Sequence, residues 1–195
     1  MSLAGSKIAG GNPARGRVKD DFYATPPSST RKLLELYKFK GKKFLEPCCG
    51  AGHLAKVVQE FYPDIEITAF DLVDRGYGEG GVDFLTYETD ERFDFIITNP
   101  PYKYAQEFIE RSLTLVRPKG TVAMFLKLQF LEGVGRASFF EKYPPKYIYV
   151  FSARQSPWMN GNPVNEHGKK WATTICFAWY IWEQGFMGEP VVRWL

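Results

Sequence analysis

Asn99-Pro100-Pro101-Tyr102 is the stretch whose residue types define a chemistry most narrowly. An amine attached to an aromatic ring is a weak nucleophile, because its lone pair is delocalised into the ring. Two acceptors drawing on its N–H bonds push the nitrogen toward a tetrahedral shape and free that pair. The side-chain oxygen of Asn99 and the carbonyl of Pro100 can be those acceptors. Pro100 and Pro101 have no N–H, and their rings stiffen the turn. Tyr102 can stack on a flat target ring. With a good leaving group on the electrophile no strong general base is required, and holding the reactants in line does much of the work. The plainer alternative is a strand-ending Pro-Pro turn with Tyr102 packed at the surface.

A second group of residues reads as a ligand cradle. Glu46-Pro47-Cys48-Cys49-Gly50-Ala51-Gly52 lies between a short apolar run and a helical pattern. Gly50 and Gly52 permit a tight turn and a close backbone approach, and the following helix offers free N–H groups at its start. The spacing is not G-x-G-x-x-G, so it is a poor dinucleotide fingerprint. Glu46 would repel a pyrophosphate and welcome a cation, such as a ligand with an amino group and a sulfonium. Asp71 lies nineteen residues past Gly52, where a doubly wound fold places a carboxylate for ribose hydroxyls. Asp83 can accept from an adenine amino group, and Phe84 can cover the ring face. The competing reading is a tight strand-to-helix turn that holds no ligand.

These residues need elements to position them. Ser28 or Ser29 can cap a helix with Leu33, Leu34 and Tyr37 on one face. KKFLEP reads as a buried strand, and Leu54, Val57, Val58 and Phe61 mark a helix that Pro63 stops. IEITAFD is a second strand ending at Asp71, and Phe93 to Thr98 a third that runs into Asn99. The pattern continues as a helix (Ala105 to Val116), a strand (Thr121 to Leu128), a helix (Arg136 to Lys142) and strands Tyr147 to Phe151 and Thr173 to Trp182. Strands alternating with helices predict an α/β fold, a mostly parallel sheet with helices on both faces. The polar loop Ser152 to Lys170 shows no clear element, and loops that long in compact domains are usually functional or mobile.

The 195 residues, 45% apolar and 16% aromatic, suit one sizeable core. Residues 20–195 read as a single domain and 1–19 as a flexible basic arm. Lys7, Arg15, Arg17 and Lys19 place four cations there without an acid; the arm can lie along phosphates or be a solvated tail. The net charge of +3 is too small to identify a nucleic-acid protein. Cys48 and Cys49 are adjacent and Cys176 stands alone, a pattern unsuited to disulfides or zinc. His167 lacks the companions of a metal ligand, so no metal is expected. No apolar run reaches the roughly 18 residues of a membrane span, and the N-terminus lacks a signal peptide's apolar stretch. The expectation is a cytoplasmic protein.

At this point the sequence resembles the class I methyltransferases that act on amino nitrogens, and among them the small phage-type DNA adenine-N6 methyltransferases. The resemblance runs from about Asp20 to Trp182. It is carried by Asp21-Phe22-Tyr23-Ala24-Thr25-Pro26-Pro27, Leu45 to Gly52, Asp71, Asp83-Phe84-Leu85 and Asn99 to Tyr102. It implies a Rossmann-like, seven-stranded sheet with its last strand antiparallel, and S-adenosyl-L-methionine as cofactor. It also implies that Tyr23, Thr25 and Pro26 close over that cofactor and that Glu46 meets its methionine amino group. Asp71 would hold the ribose and Asp83 and Phe84 the adenine, with Asn99, Pro100 and Tyr102 forming the catalytic site. The Cys48-Cys49 pair departs from the small or hydroxyl residues common at that turn. Larger members carry a separate target-recognition domain; here only 47 residues separate Gly52 from Asn99.

The loop Ser152 to Lys170 holds Arg154, Trp158, Lys169 and Lys170, a mix suited to phosphate and base edges. Trp158 could fill the gap left by an extruded base; a solvated connection with one buried Trp is the alternative. The expected partner is DNA, with the protein a monomer or weak oligomer. Methylation of an RNA base or of a protein glutamine would use the same clamp, and a non-catalytic nucleic-acid-binding subunit is a third reading. About 40 residues precede the Gly-rich turn, little room for the helical domain of the glutamine enzymes.

Overall fold

The computed structural model describes residues 22–195. The basic stretch 1–19 and Asp21 of the N-terminal motif therefore lie outside the described residues. In chain order the elements are β1 (Tyr23–Ala24), α1 (Pro27–Leu36), β2 (Lys43–Glu46), α2 (His53–Phe61), β3 (Glu66–Asp71), β4 (Glu79–Gly80) and β5 (Phe93–Thr98). They continue with α3 (Ala105–Leu115), β6 (Val116–Lys127), α4 (Ala137–Lys142), β7 (Tyr147–Val150), β8 (Trp158–Met159), β9 (Phe177–Glu183) and β10 (Val191–Trp194).

Eight strands form the main sheet in the order β10-β7-β9-β6-β5-β2-β3-β4. Strand β9 runs antiparallel to both neighbours, and the other pairings are parallel. The expected seven-stranded sheet gains β10 at its edge, so the antiparallel strand is the next-to-last in the chain. All four residues of β10 are exposed, so no alternation of apolar and polar positions marked it.

Side chains of the central strands alternate between two cores, as the two-residue period of a strand demands. Phe95 and Ile97 of β5, Ala123 and Phe125 of β6, and Trp179 and Ile181 of β9 face the side covered by α1 and α2. Ile96, Val122, Met124, Tyr180 and Trp182 face the side covered by α3 and α4, and Phe93 joins them from before the register shift in β5. Helices thus cover both faces, as the sequence predicts.

Boundaries shift where local chemistry competes. Helix α1 starts at Pro27, a favoured first helical position. Ser29 is not its cap: it sits inside the helix and donates to Gln155 Oε1 at 2.7 Å. Tyr37 is the residue that ends α1 rather than part of its face. The helix read to Val116 ends at Leu115, and β6 begins at once, with its register against β5 shifted between Phe93 and Phe95. The loop 152–170 is not featureless: β8 pairs antiparallel with β1, and Val164 bridges Lys170.

Candidate active site

Parallel β2, β3, β5 and β6 end at one edge of the sheet, and the loops that follow the first three converge there. Together with β1 they wall a cleft of about 550 Å³, within the usual range for small-ligand sites. Tyr23, Thr25, Glu46, Pro47, Gly50, Asp71, Asp83, Phe84, Asn99, Pro100, Pro101 and Tyr102 all line it. Those twelve residues come from five separate stretches of sequence, and the fold brings them to one place.

Asp71 closes the turn after β2 from the end of β3. Its Oδ2 accepts from Gly50 N at 2.9 Å and its Oδ1 from Val73 N at 3.1 Å. Glu46 is buried, and one oxygen, Oε2, has no hydrogen-bond partner. Burial pushes its carboxyl well above the usual range; nearby Asp71 adds to this and a bond from the Ala55 backbone opposes it. Thr25 Oγ1, His53 Nδ1 and the Tyr102 hydroxyl, on the same walls, are likewise buried and unpaired. An orphaned buried polar group costs roughly 1–3 kcal/mol, so a cleft carrying four fits a polar ligand. The unpaired carboxyl oxygen fits a cationic one.

Asn99 occupies the end of β5. Its Nδ2 donates to the carbonyl of Tyr23 at 2.8 Å. A carbonyl can only accept, so this bond fixes which way the amide faces and leaves Oδ1 as its acceptor. Pro101 O accepts from Tyr104 N at 2.8 Å, starting the turn Tyr102–Tyr104. The Tyr102 ring packs 6.1 Å from that of Phe177, and the Lys127 ammonium lies 5.1 Å from its centre. Burial raises the Tyr102 phenol above its ordinary value, with the Asn99 side chain opposing, so it stays neutral.

Several expectations are corrected. Gly52 is not on the cleft wall; it is left-handed (φ 77°) at the start of α2, and a Cβ there would meet the Tyr77 ring at 2.5 Å. Its role is in the turn. Pro26 caps α1 and lies off the wall too. Phe84 is only 2% exposed and packs at 4.9 Å against Phe108, so most of its ring serves the core. Asp83 Oδ1 accepts from Leu85 N at 2.9 Å. Arg154 is committed to its own loop, donating to Thr174 O and Cys176 Sγ. Trp158 lies in β8, edge-on to His53 at 5.7 Å. None of the four loop candidates lines the cleft; Lys169 and Lys170 are exposed on the turn bridged by Val164.

Sequence reasoning missed Phe22, His53 and Arg75, which also line the cleft. The Arg75 guanidinium lies 4.2 Å from the Phe22 ring centre. Gly161 sits against both Phe22 and His53. These contacts join segments far apart in the chain, and nothing local announces them. Only the position of His53, first in the helix after the Gly-rich turn, was a usable signal. Burial pushes the thiols of Cys48 and Cys49 up, that of Cys49 to about 12, with Glu46 adding to both. Both stay protonated, and Cys49 donates to Tyr77 O.

No protein-family model matches the chain. Over 87 residues it is 35% identical to the Type II methyltransferase M.CvrRI of Paramecium bursaria Chlorella virus XZ-6E, covering 39% of this chain and 23% of that protein. Over 110 residues it is 33% identical to the Type II methyltransferase M.TthHB8I of Thermus thermophilus, covering 52% and 24%. The chain thus spans about a quarter of the length of the curated relatives it matches. Among solved structures it resembles a class I S-adenosylmethionine-dependent methyltransferase of Listeria monocytogenes. There the TM-score is 0.62 at 17% identity, over 88% of this chain and 65% of that one. The fold is therefore that of the class I S-adenosylmethionine-dependent methyltransferases, whose cofactor is S-adenosyl-L-methionine. The sequence kinship runs to type II methyltransferases.

Proposed function

We propose that this chain transfers a methyl group from S-adenosylmethionine to an exocyclic amino nitrogen, N6 of adenine in DNA. The observation that carries the proposal is the Asn99 amide, locked by its Nδ2 bond to Tyr23 O so that its oxygen is the group left to accept. When bound, S-adenosylmethionine supplies a methyl group on a sulfonium, a good leaving group.

The residues divide the work. Glu46 takes the amino group of the cofactor, Asp71 its ribose and Asp83 its adenine, with Gly50 and Pro47 shaping the turn beneath. Asn99 Oδ1 and the Pro100 carbonyl accept from the two N–H groups of the target amine and hold its lone pair on the methyl side. Pro101 keeps that turn stiff, and Tyr102 lies against the base. The proton released from nitrogen leaves to water, since neutral Tyr102 is no base. The motifs shared with DNA adenine-N6 enzymes and the names of the two sequence relatives support DNA as the substrate.

The test supplies methyl-labelled S-adenosylmethionine with unmethylated DNA, bulk RNA or cell protein in separate reactions. Label entering DNA alone is the expected result. Label confined to RNA or protein would retain the amino clamp and overturn the choice of DNA.

A further inference from the structure

The loop after β6, residues 128–136, is built from two short 3-10 turns, Leu128–Leu131 and Val134–Arg136. Strand β6 is parallel to β5 and beside it, so this loop leaves the same sheet edge as Asn99–Tyr102, one strand away. The Arg136 guanidinium clamps it, donating to the carbonyls of Gln129, Phe130 and Glu132 at 3.4, 3.3 and 2.6 Å. That guanidinium also lies 4.7 Å from the ring centre of Phe130, which is buried. The loop is thus anchored below and tied across.

What it displays is apolar. Val134 is 99% exposed and Leu131 42%. A single exposed valine means little. A valine held out on a clamped turn, beside the catalytic turn, is a different matter. The nearby lip is cationic and aromatic: Lys127 lies over Tyr102, and Lys103 is 4.8 Å from the ring centre of exposed Tyr104. Glu132 is the one acid between Lys127 and Arg136.

The Asn99 amide lines a walled cleft, and a base inside a duplex cannot reach it without leaving the stack. The space it vacates needs a filler. Trp158, the sequence's candidate, is engaged in the β1–β8 ribbon. We propose that the Leu131–Val134 tip enters the duplex and occupies the space left by the extruded base, with the lip cations on the flanking phosphates. This rests on the DNA reading above.

The test compares wild type with Val134→Ser and Val134→Leu on one DNA fragment, as duplex and heat-denatured. Val134→Ser is expected to lose about tenfold in kcat/KM on the duplex, the order of one unfilled stacking step, and less than twofold on denatured DNA. Val134→Leu keeps duplex activity. With 2-aminopurine at the mapped target position, Val134→Ser also gives a smaller fluorescence rise on binding without cofactor. Equal losses on both DNA forms, or no loss on either, overturn the wedge while leaving the methyltransferase reading intact. Absence of DNA methylation by the wild type overturns both. Melting temperatures of the variants should match wild type, because the side chain touches little.

Discussion

Glu46 is the residue on which stability and binding pull in opposite directions. Burial raises its carboxyl far above the unfolded glutamate value of about 4.3. A group raised in the folded state stabilises fully below its unfolded pKa and loses that stability as pH rises through its folded value. The ligand-free protein should therefore lose stability as pH climbs from below 4.3 through that raised value. Glu46→Gln should flatten that slope in melting curves and abolish most S-adenosylmethionine binding by calorimetry. If the variant kept full affinity, the carboxylate would not be the ammonium's partner. Asn99→Ala, by contrast, should leave cofactor binding near wild type while lowering the methylation rate about 10²- to 10³-fold. Both residues were legible in the sequence, because their types and spacing state a chemistry. Arg75 and Phe22 were not, because their place depends on contacts between distant segments, and His53 was marked only by its position at the start of the helix after the Gly-rich turn.

At the scale of elements, the β1–β8 ribbon is the unexpected device. It ties Tyr23–Ala24 to Trp158–Met159, and Asn160 N donates to Phe22 O at 2.8 Å. The long loop therefore braces the segment whose Tyr23 carbonyl orients Asn99. Two-residue strands carry no periodic signal, so this pairing could not be read from sequence. Gly161 is left-handed (φ 74°) with a Cβ position 3.0 Å from His53 and 3.3 Å from Phe22. Gly161→Val should thus push the ribbon off the cleft. Its expected signature is a raised S-adenosylmethionine Kd with a smaller fall in melting temperature; an unchanged Kd would separate the ribbon from the site. Gly52→Ala strains a left-handed turn and strikes Tyr77, and should cost about 1–3 kcal/mol in denaturant titrations.

For the whole molecule, the alternating α and β pattern predicted the sheet because the central strands are buried on both faces and read as apolar runs. The eighth strand was lost because an exposed edge leaves no such run. No helix among the described residues is long and apolar enough to cross a membrane. The site draws at once on β1, the ends of β2 and β3 and the turn after β5, so a ligand there should tie the fold together. At a hundredfold excess over Kd, S-adenosylmethionine should add about 2.7 kcal/mol, or roughly 5–11 °C in melting temperature for a chain of this size. No shift at saturating cofactor would mean that the cleft is not its site.

The most direct test of the central claim is nucleoside mass spectrometry of DNA treated with S-adenosylmethionine and either wild type or Asn99→Ala. N6-methyl-2′-deoxyadenosine with the wild type, and at most a trace with Asn99→Ala, is the predicted result. Equal product from both proteins, or a methyl group on a ring carbon, would contradict the Asn99 clamp.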